Sequence, residues 1–395
     1  MSLRLTPPGS KSMTQRALMI AALADAPSRI HGALVCDDAR YLTELLEALG
    51  TSVRWDGTTV AVEPAPLCAP EAPVFCGNAG TAVRFGSCLS LLCEGALTID
   101  GDRHMRGRPI GDLGAALEML GVDVSYLGAA GCPPLRLARR GPAPASVQID
   151  ASISSQYASG LLLVSPRLGG LSISLSGELV SRPYLEMTAA MMRRAGVDVV
   201  WRDATLTASG SYRGGDIAVE ADWSGASFLL AAEAITGVAI DVVGLAPPDS
   251  SLQGDAVFVA QLEALAAGAD EIDLTDCPDL IAPLVAVALF RDAPLRITGA
   301  AHTRVKECDR VAVLCRELGK VGADMTPRDD GLLLRPAHLP AAAAELDPED
   351  DHRMAMAFGV VSLRLPQLRV ASPACVSKSY PAFWDDLAAI RDAQS

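Results

Sequence analysis

The most informative charged residues of this 395-residue chain are its lysines, because only four lysines accompany 29 arginines. Arginine occupies most generic cationic positions. A remaining lysine is therefore a candidate for work that needs a compact, titratable point charge. Lys320 ends a predicted amphipathic helix, which is an ordinary place for a cation. The other three, Lys11, Lys306 and Lys378, lie in polar motifs.

Polar motifs recur at or just before the starts of predicted apolar helices. The first N–H groups of a helix are unpaired and carry the positive end of its dipole, so such positions suit anions. The motifs supply cations, small hydroxyls and two candidate acid/base carboxylates on a chain of net charge −14. This combination predicts substrates that carry several negative charges. The motifs are Pro8-Gly-Ser-Lys-Ser-Met-Thr-Gln-Arg16, Gly77-Asn-Ala-Gly-Thr-Ala-Val-Arg84, Arg103-His-Met-Arg-Gly-Arg-Pro-Ile110, Ser154-Ser-Gln156, Ser181-Arg-Pro-Tyr184, Cys277-Pro-Asp279, Arg304-Val-Lys-Glu-Cys-Asp-Arg310, Asp350-Asp-His-Arg-Met-Ala-Met356 and Ser377-Lys-Ser379.

Composition argues against several other classes of protein. Aromatic residues make up only 4% and the net charge is negative, whereas a nucleic-acid binder needs stacking platforms and a basic face. The start of the chain does not have the pattern of a signal peptide, and no apolar run is long enough for a membrane span. Ten cysteines are scattered without a C-x-x-C pair, which favours neither zinc nor a disulfide framework. We therefore expect a cytoplasmic protein.

The motifs belong to a repeating unit of roughly 70 residues. Each unit reads as an apolar helix, a strand, an amphipathic helix, a glycine turn and a second strand. The apolar helices that open the units are apolar nearly all round, which indicates burial inside a domain. Three units on either side of about Asp222 would give two pseudo-threefold domains with helices inside and sheets outside. The six opening helices are predicted at Arg16–Leu23, Thr81–Leu92, Gln156–Val164, Ser224–Ala234, Leu280–Phe290 and His352–Leu363.

Glycine turns and alternating strands support this repeat. Strands such as Leu97–Asp100 and Leu171–Leu175 alternate with period two, as half-buried strands do. The glycine after each amphipathic helix tolerates the left-handed backbone that stops a helix. If the buried helices of each domain point their N-termini at the other domain, the cleft between them becomes an anion trap. The glycines are Gly50, Gly121, Gly196, Gly268 and Gly322.

In order and over nearly the whole chain, the motifs resemble those of the 5-enolpyruvylshikimate-3-phosphate synthase family. The resemblance implies an α/β fold, a two-domain inside-out α/β barrel of six repeats, with crossovers near Pro8 and Asp222. One domain would be residues 9–221 and the other residues 1–8 plus 222–395, with the active site in the cleft between them. The matching signatures are Pro8-Gly-Ser-Lys-Ser12, Gly77-Asn-Ala-Gly-Thr81 with Arg84, Arg108-Pro-Ile110, Ser154-Ser-Gln156, Arg304-Val-Lys-Glu307 with Asp309-Arg310, Asp351-His-Arg-Met-Ala-Met356, and Lys378.

The resemblance also implies a reaction. The enolpyruvyl (carboxyvinyl) group of phosphoenolpyruvate would move to the 5-hydroxyl of shikimate 3-phosphate by addition and elimination, through a tetrahedral intermediate that loses phosphate. The product would serve the biosynthesis of chorismate and the aromatic amino acids. We expect no metal and no organic cofactor. The expected partners are the two small-molecule substrates, with neither nucleic acid nor membrane, and we expect a monomer.

Site residues follow from the resemblance, motif by motif. Asp279 would be the base for the 5-hydroxyl. Glu307 would protonate the methylene carbon of phosphoenolpyruvate, with Lys11 as the competing acid. Shikimate 3-phosphate would be held by Lys11, Ser12, Arg16, Ser154, Ser155, Gln156, Ser181, Asp279 and Lys306. Phosphoenolpyruvate would be held by Lys11, Gly80, Arg108, Gln156, Arg310, Arg353 and Lys378.

Three positions depart from the family pattern. His302 stands where Asn or an acidic residue is expected, Phe85 where Pro is common, and Asp350 where Asn is usual. None of these changes removes a charged catalytic candidate. Gly80 is kept, and a side chain there would crowd the phosphoenolpyruvate pocket, so we expect sensitivity to glyphosate.

Alternative functions stay open from the sequence. The sister enzyme that enolpyruvylates UDP-N-acetylglucosamine has the same fold and donor, but it carries a reactive cysteine on a first-domain loop, and the loop Arg103 to Ile110 has none. A catalytically idle paralogue that binds shikimate phosphates would not need the carboxylates Asp279 and Glu307. The substitution at His302 raises a third possibility, an enzyme that accepts a modified cyclohexene.

Overall fold

The structure is a computed structural model that describes residues 2–339 and 343–394. The chain divides into two compact units, Gly9–Val219 and Met1–Pro8 with Glu220–Ser395. We call them the 9–219 unit and the 220–395 unit. Positions 1, 340–342 and 395, which the predicted second domain includes, lie outside the described residues. Among those described, no helix combines the length and the apolar composition that a membrane crossing requires.

Buried and amphipathic helices alternate along the described chain. The six predicted apolar helices are confirmed, and most of their predicted ends lie within three residues of the ends in the structure. They correspond to the buried helices α1, α3, α5, α7, α9 and α11. Their burial follows from apolar side chains on nearly every face. The α-helices are α1 (Lys11–Ala22), α2 (Asp37–Ala48), α3 (Gly80–Leu89), α4 (Gly111–Met119), α5 (Ser155–Val164), α6 (Arg182–Arg194), α7 (Trp223–Thr236), α8 (Phe258–Ala266), α9 (Ile281–Ala288), α10 (Arg310–Gly319), α11 (His352–Ser362) and α12 (Phe383–Ala393).

The strands are short, and their side chains alternate between buried and solvent-facing. Both strands that the alternation predicted are present, one residue longer at an end. The glycines predicted to stop helices all have positive φ, between 84° and 108°. The strands are β1 (Leu3–Leu5), β2 (Ser28–His31), β3 (Ser52–Asp56), β4 (Thr59–Glu63), β5 (Val74–Phe75), β6 (Ala96–Asp100), β7 (Val122–Tyr126), β8 (Leu135–Arg139), β9 (Ser146–Asp150), β10 (Leu171–Ser176), β11 (Asp198–Arg202), β12 (Thr205–Ser209), β13 (Asp216–Ala218), β14 (Ile240–Val242), β15 (Glu271–Asp273), β16 (Leu295–Thr298), β17 (Asp324–Arg328), β18 (Gly331–Arg335), β19 (Ala344–Leu346) and β20 (Leu368–Val370).

One sheet topology occurs three times in the 9–219 unit. The strand orders are β13-β2-β4-β3, β5-β6-β8-β7 and β9-β10-β12-β11, and in each sheet the first pair is parallel and the others are antiparallel. Each sheet packs on one buried helix: α1 against β2 and β4, α3 against β6, and α5 against β10 and β12. The buried helices also contact one another. The motifs that contain Lys11, Gly80 and Gln156 lie at the starts of these helices.

The 220–395 unit repeats this topology once in full. Its four-stranded sheet has the order β15-β16-β18-β17, again with one parallel pair followed by antiparallel neighbours. Two parallel pairs, β1 with β14 and β19 with β20, complete the strand pairing of its described residues. Helices α7, α9 and α11 pack against one another in its core. Their N-termini follow Asp222, the Cys277-Pro-Asp279 motif and Asp351.

Candidate active site

Lys11 is the first residue of α1 in the 9–219 unit. Its Nζ lies 3.1 Å from Oδ2 of Asp38, near the start of α2, and its side chain is 14% exposed. Ser12 follows in the first turn of the same helix. A partly sheltered ammonium at a helix start places a positive charge and the helix dipole at the same point. This arrangement suits a phosphate or carboxylate.

Arg16 lies one turn deeper in α1 and is buried. Its Nε donates to Thr188 Oγ1 at 2.7 Å, and its terminal nitrogens donate to the carbonyl oxygens of Ser12 and Tyr184 at 3.0 Å. Burial lowers the pKa of this guanidinium to about 10, against a smaller opposing effect of Tyr184. Arg16 therefore ties α1 to α6 from inside the unit and fixes the backbone at Ser12.

Two guanidinium groups converge on Gly80, the first residue of α3. A Cβ at Gly80 would lie 2.7 Å from Arg84 Nη1 and 2.8 Å from Arg108 Nη2, closer than real Cβ contacts come. Arg108 also donates to Asn78 Oδ1 at 3.0 Å. Both arginine side chains are largely buried. We call Gly80, Arg84 and Arg108 the arginine cradle; only glycine leaves room for it.

Gln156 joins the arginine cradle to α5. Its Oε1 accepts from Arg84 Nη1 at 2.8 Å, and its Nε2 donates to Thr81 Oγ1 at 3.2 Å. Ser154 caps α5, since its Oγ accepts the N–H of Gln156 at 3.3 Å. Ser155 is buried as the first residue of that helix. The starts of α3 and α5 therefore present amide and hydroxyl groups beside two cations.

Ser181 precedes α6 with a strained backbone. Its φ of 55° lies in the left-handed region that residues with a Cβ rarely occupy, and the residue is buried. Such strain clusters at functional positions. Ser181 thus sits at the start of the helix whose residues Tyr184 and Thr188 hold Arg16.

Arg310, at the start of α10 in the 220–395 unit, contacts three carboxylates. Its Nε lies 2.8 Å from Asp351 Oδ2, its Nη1 2.7 Å from Asp279 Oδ1, and its Nη2 3.1 Å from Glu307 Oε2. Burial alone would lower the pKa of Arg310, but Asp351, Asp279 and Glu307 hold it well above its usual value. Arg310 is a permanent cation at the centre of what we call the carboxylate network: Asp279, Glu307, Asp351 and the cations bound to them.

Asp279 lies in the helical turn Pro278–Leu280 before α9. Its second oxygen is 2.9 Å from Arg353 Nη2. Burial would raise the pKa of Asp279, but Arg353, Lys306 and Arg310 outweigh it and hold that pKa well below its usual range. Asp279 is therefore ionised and able to accept a proton, yet its basicity is low while all three cations face it.

Glu307 bridges two cations. Its Oε1 is 2.9 Å from Lys378 Nζ, and its Oε2 is the atom that contacts Arg310. Lys378 ends the helical turn Pro373–Lys378 and is largely buried. Two cations at such distances favour the carboxylate form of Glu307. Before Glu307 can deliver a proton it must therefore receive one from a neighbouring donor, and the Lys378 ammonium is in contact.

His302 lies in the short helical turn Ala301–Val305, and Lys306 directly follows that turn. Burial, followed by the charge of Lys306, lowers the pKa of His302 to about 4, against an opposing effect of Asp279. His302, the residue that departs from the family pattern, is therefore a buried neutral imidazole next to the network. Lys306 is half-buried and acts on Asp279 through its charge.

Sequence reasoning gave no role to two residues that the structure places in these groups. Asp351 caps α11, its Oδ1 accepting from the N–H of Arg353 at 2.8 Å while its other oxygen binds Arg310. A carboxylate immediately before a buried helix was the available signal. Arg84 donates a hydrogen bond to Gln156, and its guanidinium group lies next to the Cα of Gly80. Its spacing of four from Gly80 puts both on one helix face, which could have indicated the contact.

The predicted site residues thus form three groups. In the 9–219 unit, Lys11, Ser12 and Arg16 share the start of α1, and Gly80, Arg108 and Gln156 are joined through Arg84. In that unit Ser154 and Ser155 begin α5 beside Gln156, and Ser181 precedes α6. In the 220–395 unit the carboxylate network brings together Asp279, Lys306, Glu307, Arg310, Arg353 and Lys378.

Comparison with known proteins gives a consistent result. The family model of EPSP synthase (3-phosphoshikimate 1-carboxyvinyltransferase) matches residues 1–387. A 3-phosphoshikimate 1-carboxyvinyltransferase of Rhizobium leguminosarum bv. trifolii is 39% identical over 98% of this chain and 94% of its own length. Proteins of the same name are 38% identical in Pseudomonas syringae pv. syringae, over 98% and 94%, and in Methanoculleus marisnigri, over 96% and 94%.

Solved structures show the same fold. The EPSP synthase of Acinetobacter baumannii superposes with a TM-score of 0.75 at 23% identity, covering 98% of this chain and 94% of that one. A second structure of the enzyme from that organism gives a TM-score of 0.76 at 22% identity, over 98% and 96% of the two chains. The predicted two-domain α/β fold is confirmed by this likeness.

Proposed function

Since the chain belongs to the EPSP synthase family, we propose that it is a 3-phosphoshikimate 1-carboxyvinyltransferase of the shikimate pathway, which serves aromatic amino acid biosynthesis. It transfers the enolpyruvyl group of phosphoenolpyruvate to the 5-hydroxyl of shikimate 3-phosphate and releases phosphate. The observation that carries the proposal is the carboxylate network: one buried arginine that holds two candidate acid/base carboxylates, Asp279 and Glu307.

Anion binding is assigned mainly to the helix starts of the 9–219 unit. Phosphoenolpyruvate carries a phosphate and a carboxylate, and shikimate 3-phosphate carries the same two groups. Lysine and arginine at helix N-termini provide charge-assisted hydrogen bonds for such groups. We assign shikimate 3-phosphate to Lys11, Ser12, Arg16, Ser154, Ser155, Gln156, Ser181, Asp279 and Lys306, and phosphoenolpyruvate to Lys11, Gly80, Arg108, Gln156, Arg310, Arg353 and Lys378. Arg16 acts through the Ser12 backbone, which it bonds.

Asp279 is the proposed base. The oxygen of the 5-hydroxyl bonds to the central carbon of phosphoenolpyruvate while its proton passes to the carboxylate. The three cations around Asp279 would make it too weak a base in the free protein. The phosphate and carboxylate groups of the substrates bind to the same cations, including Arg353 and Lys306. When both substrates are bound, the negative charge of these substrate groups raises the proton affinity of Asp279.

The acid must protonate the methylene carbon of phosphoenolpyruvate, which becomes a methyl group in the tetrahedral adduct. Elimination then removes a proton from that methyl group and breaks the bond to phosphate, so protons balance over the cycle. Glu307, in contact with Lys378, is our choice, and Lys11 remains the alternative. The cations of the network stabilise the departing phosphate. We assign no metal and no cofactor to this chemistry.

Other predictions stay predictions. These are a cytoplasmic location, a monomeric state, and the domain boundaries 9–221 and 1–8 plus 222–395 with three repeats each. An acceptor other than shikimate 3-phosphate stays in view because of the buried neutral His302 next to the network. Steady-state comparison of acceptors that differ in their ring substituents separates the two cases.

The test is phosphate release by the purified protein given both substrates, with Asp279→Ala and Lys306→Met measured beside it. The proposal predicts release that requires both substrates and falls by orders of magnitude in the variants. Tight binding of shikimate 3-phosphate without turnover would instead support an idle binding protein. Release with UDP-N-acetylglucosamine in place of shikimate 3-phosphate would support the sister reaction.

A further inference from the structure

A buried carboxylate that the proposed mechanism does not use lies on the helix that begins with Arg310. Glu317 belongs to α10 and is 2% exposed. It follows Arg310 by seven residues, so the two side chains lie on one face of the helix, about 10 Å apart along its axis. A carboxylate that is buried in this way needs donors around it. The partners of Glu317 therefore indicate what it stabilises.

Glu317 accepts three hydrogen bonds. Its Oε1 accepts from Arg316 Nε at 2.8 Å, and its Oε2 accepts from Lys320 Nζ and, at 2.8 Å, from the backbone N–H of Asp347. Burial alone would raise the pKa of Glu317, but these three donors outweigh burial and hold that pKa below its usual value. Glu317 is therefore an ionised carboxylate that fixes the backbone of Asp347.

Two neighbouring cations bind the same segment. Arg316 Nη2 lies 2.8 Å from Glu349 Oε1, and Lys320 Nζ donates to the carbonyl oxygen of Glu345 at 3.2 Å. Lys320 is the one lysine of the chain that lies outside the polar motifs. We call Arg316, Glu317 and Lys320 the α10 clamp. It holds the segment that leads into α11 at three points.

The held segment has a strained backbone. Glu349 and Asp350 have φ values of 51° and 57°, in the left-handed region that residues with a Cβ rarely occupy. Among the residues that the structure describes, they are the only two consecutive non-glycine residues of this kind. Asp347 Oδ1 accepts from the N–H of Glu349 at 2.8 Å within the same turn. Strain of this kind persists only where surrounding contacts hold it, and the α10 clamp supplies such contacts.

The strained pair directly precedes Asp351, which caps α11. Asp351 accepts from the N–H of Arg353 and contacts Arg310 Nε at 2.8 Å. The Arg353 guanidinium in turn lies 2.9 Å from Asp279. The direction in which the chain enters α11 therefore decides where two members of the carboxylate network lie. Helix α10 contacts this part of the chain at both ends, through Arg310 at its start and through the α10 clamp near its end.

We propose that Glu317 is a positioning residue for the transferase reaction: through the α10 clamp it holds the strained turn that places Asp351 and Arg353 in the carboxylate network. The inference rests on the proposed function, which gives that network its role. Glu317 acts through the backbone of Asp347 and the turn that follows it. A misplacement of about 1 Å in a reacting group can cost ~100-fold in rate.

The test compares isosteric changes of two glutamates that bind backbone N–H groups near helix ends of the same unit. Glu317→Gln replaces an acceptor oxygen by an NH₂ group, so the side chain cannot accept all three hydrogen bonds. The matched control is Glu233→Gln. Glu233 lies near the end of α7 and accepts from the N–H of Ile240 at 3.2 Å, and the strand β14 that Ile240 begins carries no assigned site residue. Both variants should lower the melting temperature.

We expect Glu317→Gln to lower kcat per folded molecule by about tenfold or more, with both KM values within about threefold of wild type. Glu233→Gln should keep kcat within about twofold. Equal kcat values for the two variants would overturn the inference. If Glu317→Gln does not fold, Arg316→Met removes the clamp's half-exposed cation instead. It should lower kcat by about threefold, and a wild-type kcat would contradict the inference.

A second change tests the strain in the turn. Glycine adopts a positive φ without steric cost, so Asp350→Gly should let the turn keep its shape with less help from the clamp. Asp350→Gly alone should keep kcat within about twofold of wild type. Added to Glu317→Gln, it should raise kcat by about threefold or more above that of the single variant. A double variant no faster than Glu317→Gln would count against the inference.

Wild-type turnover tests the proposed function separately from this inference. Crystal structures of the wild type and of Glu317→Gln decide the positioning role even without turnover. The inference predicts that the Asp351 carboxylate moves by about 1 Å and that its 2.8 Å contact with Arg310 lengthens. An unmoved Asp351 in a folded Glu317→Gln variant would overturn it.

Discussion

The two units use their buried cations in different ways. In the 9–219 unit, Arg84 donates to an amide oxygen of Gln156 and Arg108 to one of Asn78. In the 220–395 unit, Arg310 contacts carboxylates with all three of its nitrogens. Two guanidinium groups that converge on one point suit a phosphate or a carboxylate, so we assign the arginine cradle to substrate binding. Carboxylates largely balance the charge of Arg310.

The difference separates binding from chemistry. The two converging guanidinium groups of the arginine cradle provide charge-assisted hydrogen bonds to an arriving phosphate or carboxylate, so the loss of either group should weaken substrate binding. A charge-balanced network of carboxylates and cations can pass a proton between its members at small electrostatic cost. Substitutions in the arginine cradle should therefore act mainly on KM, and substitutions in the carboxylate network mainly on kcat.

We expect the largest effect from a substitution of the proposed base in the carboxylate network, Asp279. Asp279→Asn keeps the shape of the side chain but removes the proton acceptor. We expect kcat to fall by about 10²–10⁴-fold, measured as phosphate release at saturating substrates. The exposed Asp276, three residues earlier, gives the control Asp276→Asn, which should retain wild-type kcat. A kcat within about tenfold of wild type for Asp279→Asn would rule out the base role.

A second prediction concerns the charge state of the same region. His302 has a folded-state pKa of about 4, below the ordinary histidine value of 6.5, because it is buried and near Lys306. Between these values the unfolded chain binds the proton and the folded protein does not. Stability therefore rises with pH across this window and is lost as the pH falls through it, by about 3 kcal/mol in total.

Urea unfolding between pH 4 and 7 measures this contribution. In His302→Asn the fall in the free energy of unfolding toward pH 4 should shrink by about 3 kcal/mol, since asparagine does not titrate. The exposed His338 supplies the control His338→Asn, which should leave the profile as in wild type. Identical profiles for wild type and His302→Asn would show that this imidazole is not held neutral.

The third prediction sharpens the comparison on the binding side. Gly80→Ala places a methyl carbon 2.7 Å from Arg84 Nη1 and 2.8 Å from Arg108 Nη2, so the guanidinium groups must shift. We expect KM for phosphoenolpyruvate to rise about tenfold or more, with kcat affected less. Glyphosate inhibition, which we expect for the wild type because Gly80 is kept, should weaken in parallel.

A neighbouring glycine provides the control for this change. A Cβ at Gly107 meets nothing within 4 Å, although Gly107 directly precedes Arg108. Gly107→Ala should therefore leave both KM values unchanged. If it raised KM as much as Gly80→Ala, the effect would come from the mobility of the Arg108 loop, and steric crowding at Gly80 would be excluded as its cause.

The smallest expected effect is at the cap of α5. Ser154→Ala removes the acceptor of the Gln156 N–H, at a cost of ~1 kcal/mol in the free energy of unfolding. Because Gln156 also bonds Arg84, KM for phosphoenolpyruvate should rise slightly, within about threefold. Urea unfolding and steady-state kinetics measure the two effects. A loss of kcat without any loss of stability would assign Ser154 to the chemical step.

The sequence alone predicts the buried helices, because their segments consist almost entirely of apolar residues. Helix α9 is apolar on every side, and α11 starts where predicted, at His352. The sequence predicts the ends of the helices less well. Helix α3 ends at Leu89 and residues 90–92 form turns, whereas the apolar pattern continues to Leu92. Apolar character alone does not distinguish a helical residue from a buried turn.

Charge pairing was the part that sequence could not supply. The motifs identified Asp279 and Arg310, but 31 positions separate them, and nothing in a linear pattern says which carboxylate an arginine contacts. Asp351 and Arg84 were missed for this reason. The low pKa of Asp279 likewise depends on tertiary contacts. Burial would raise this pKa, but the charges of Arg353, Lys306 and Arg310 lower it by more.

The most direct test of the separation between binding and chemistry is to run the reaction in D₂O. Mass spectrometry of the product then measures the deuterium incorporated into its enolpyruvyl methylene group. Addition and elimination pass through a methyl group, so the wild type should incorporate solvent deuterium. At saturating phosphoenolpyruvate, Gly80→Ala should incorporate it at near the wild-type rate, whereas Asp279→Asn and Glu307→Gln should lose it. Product without deuterium from the wild type, or full incorporation by both network variants, would contradict the account.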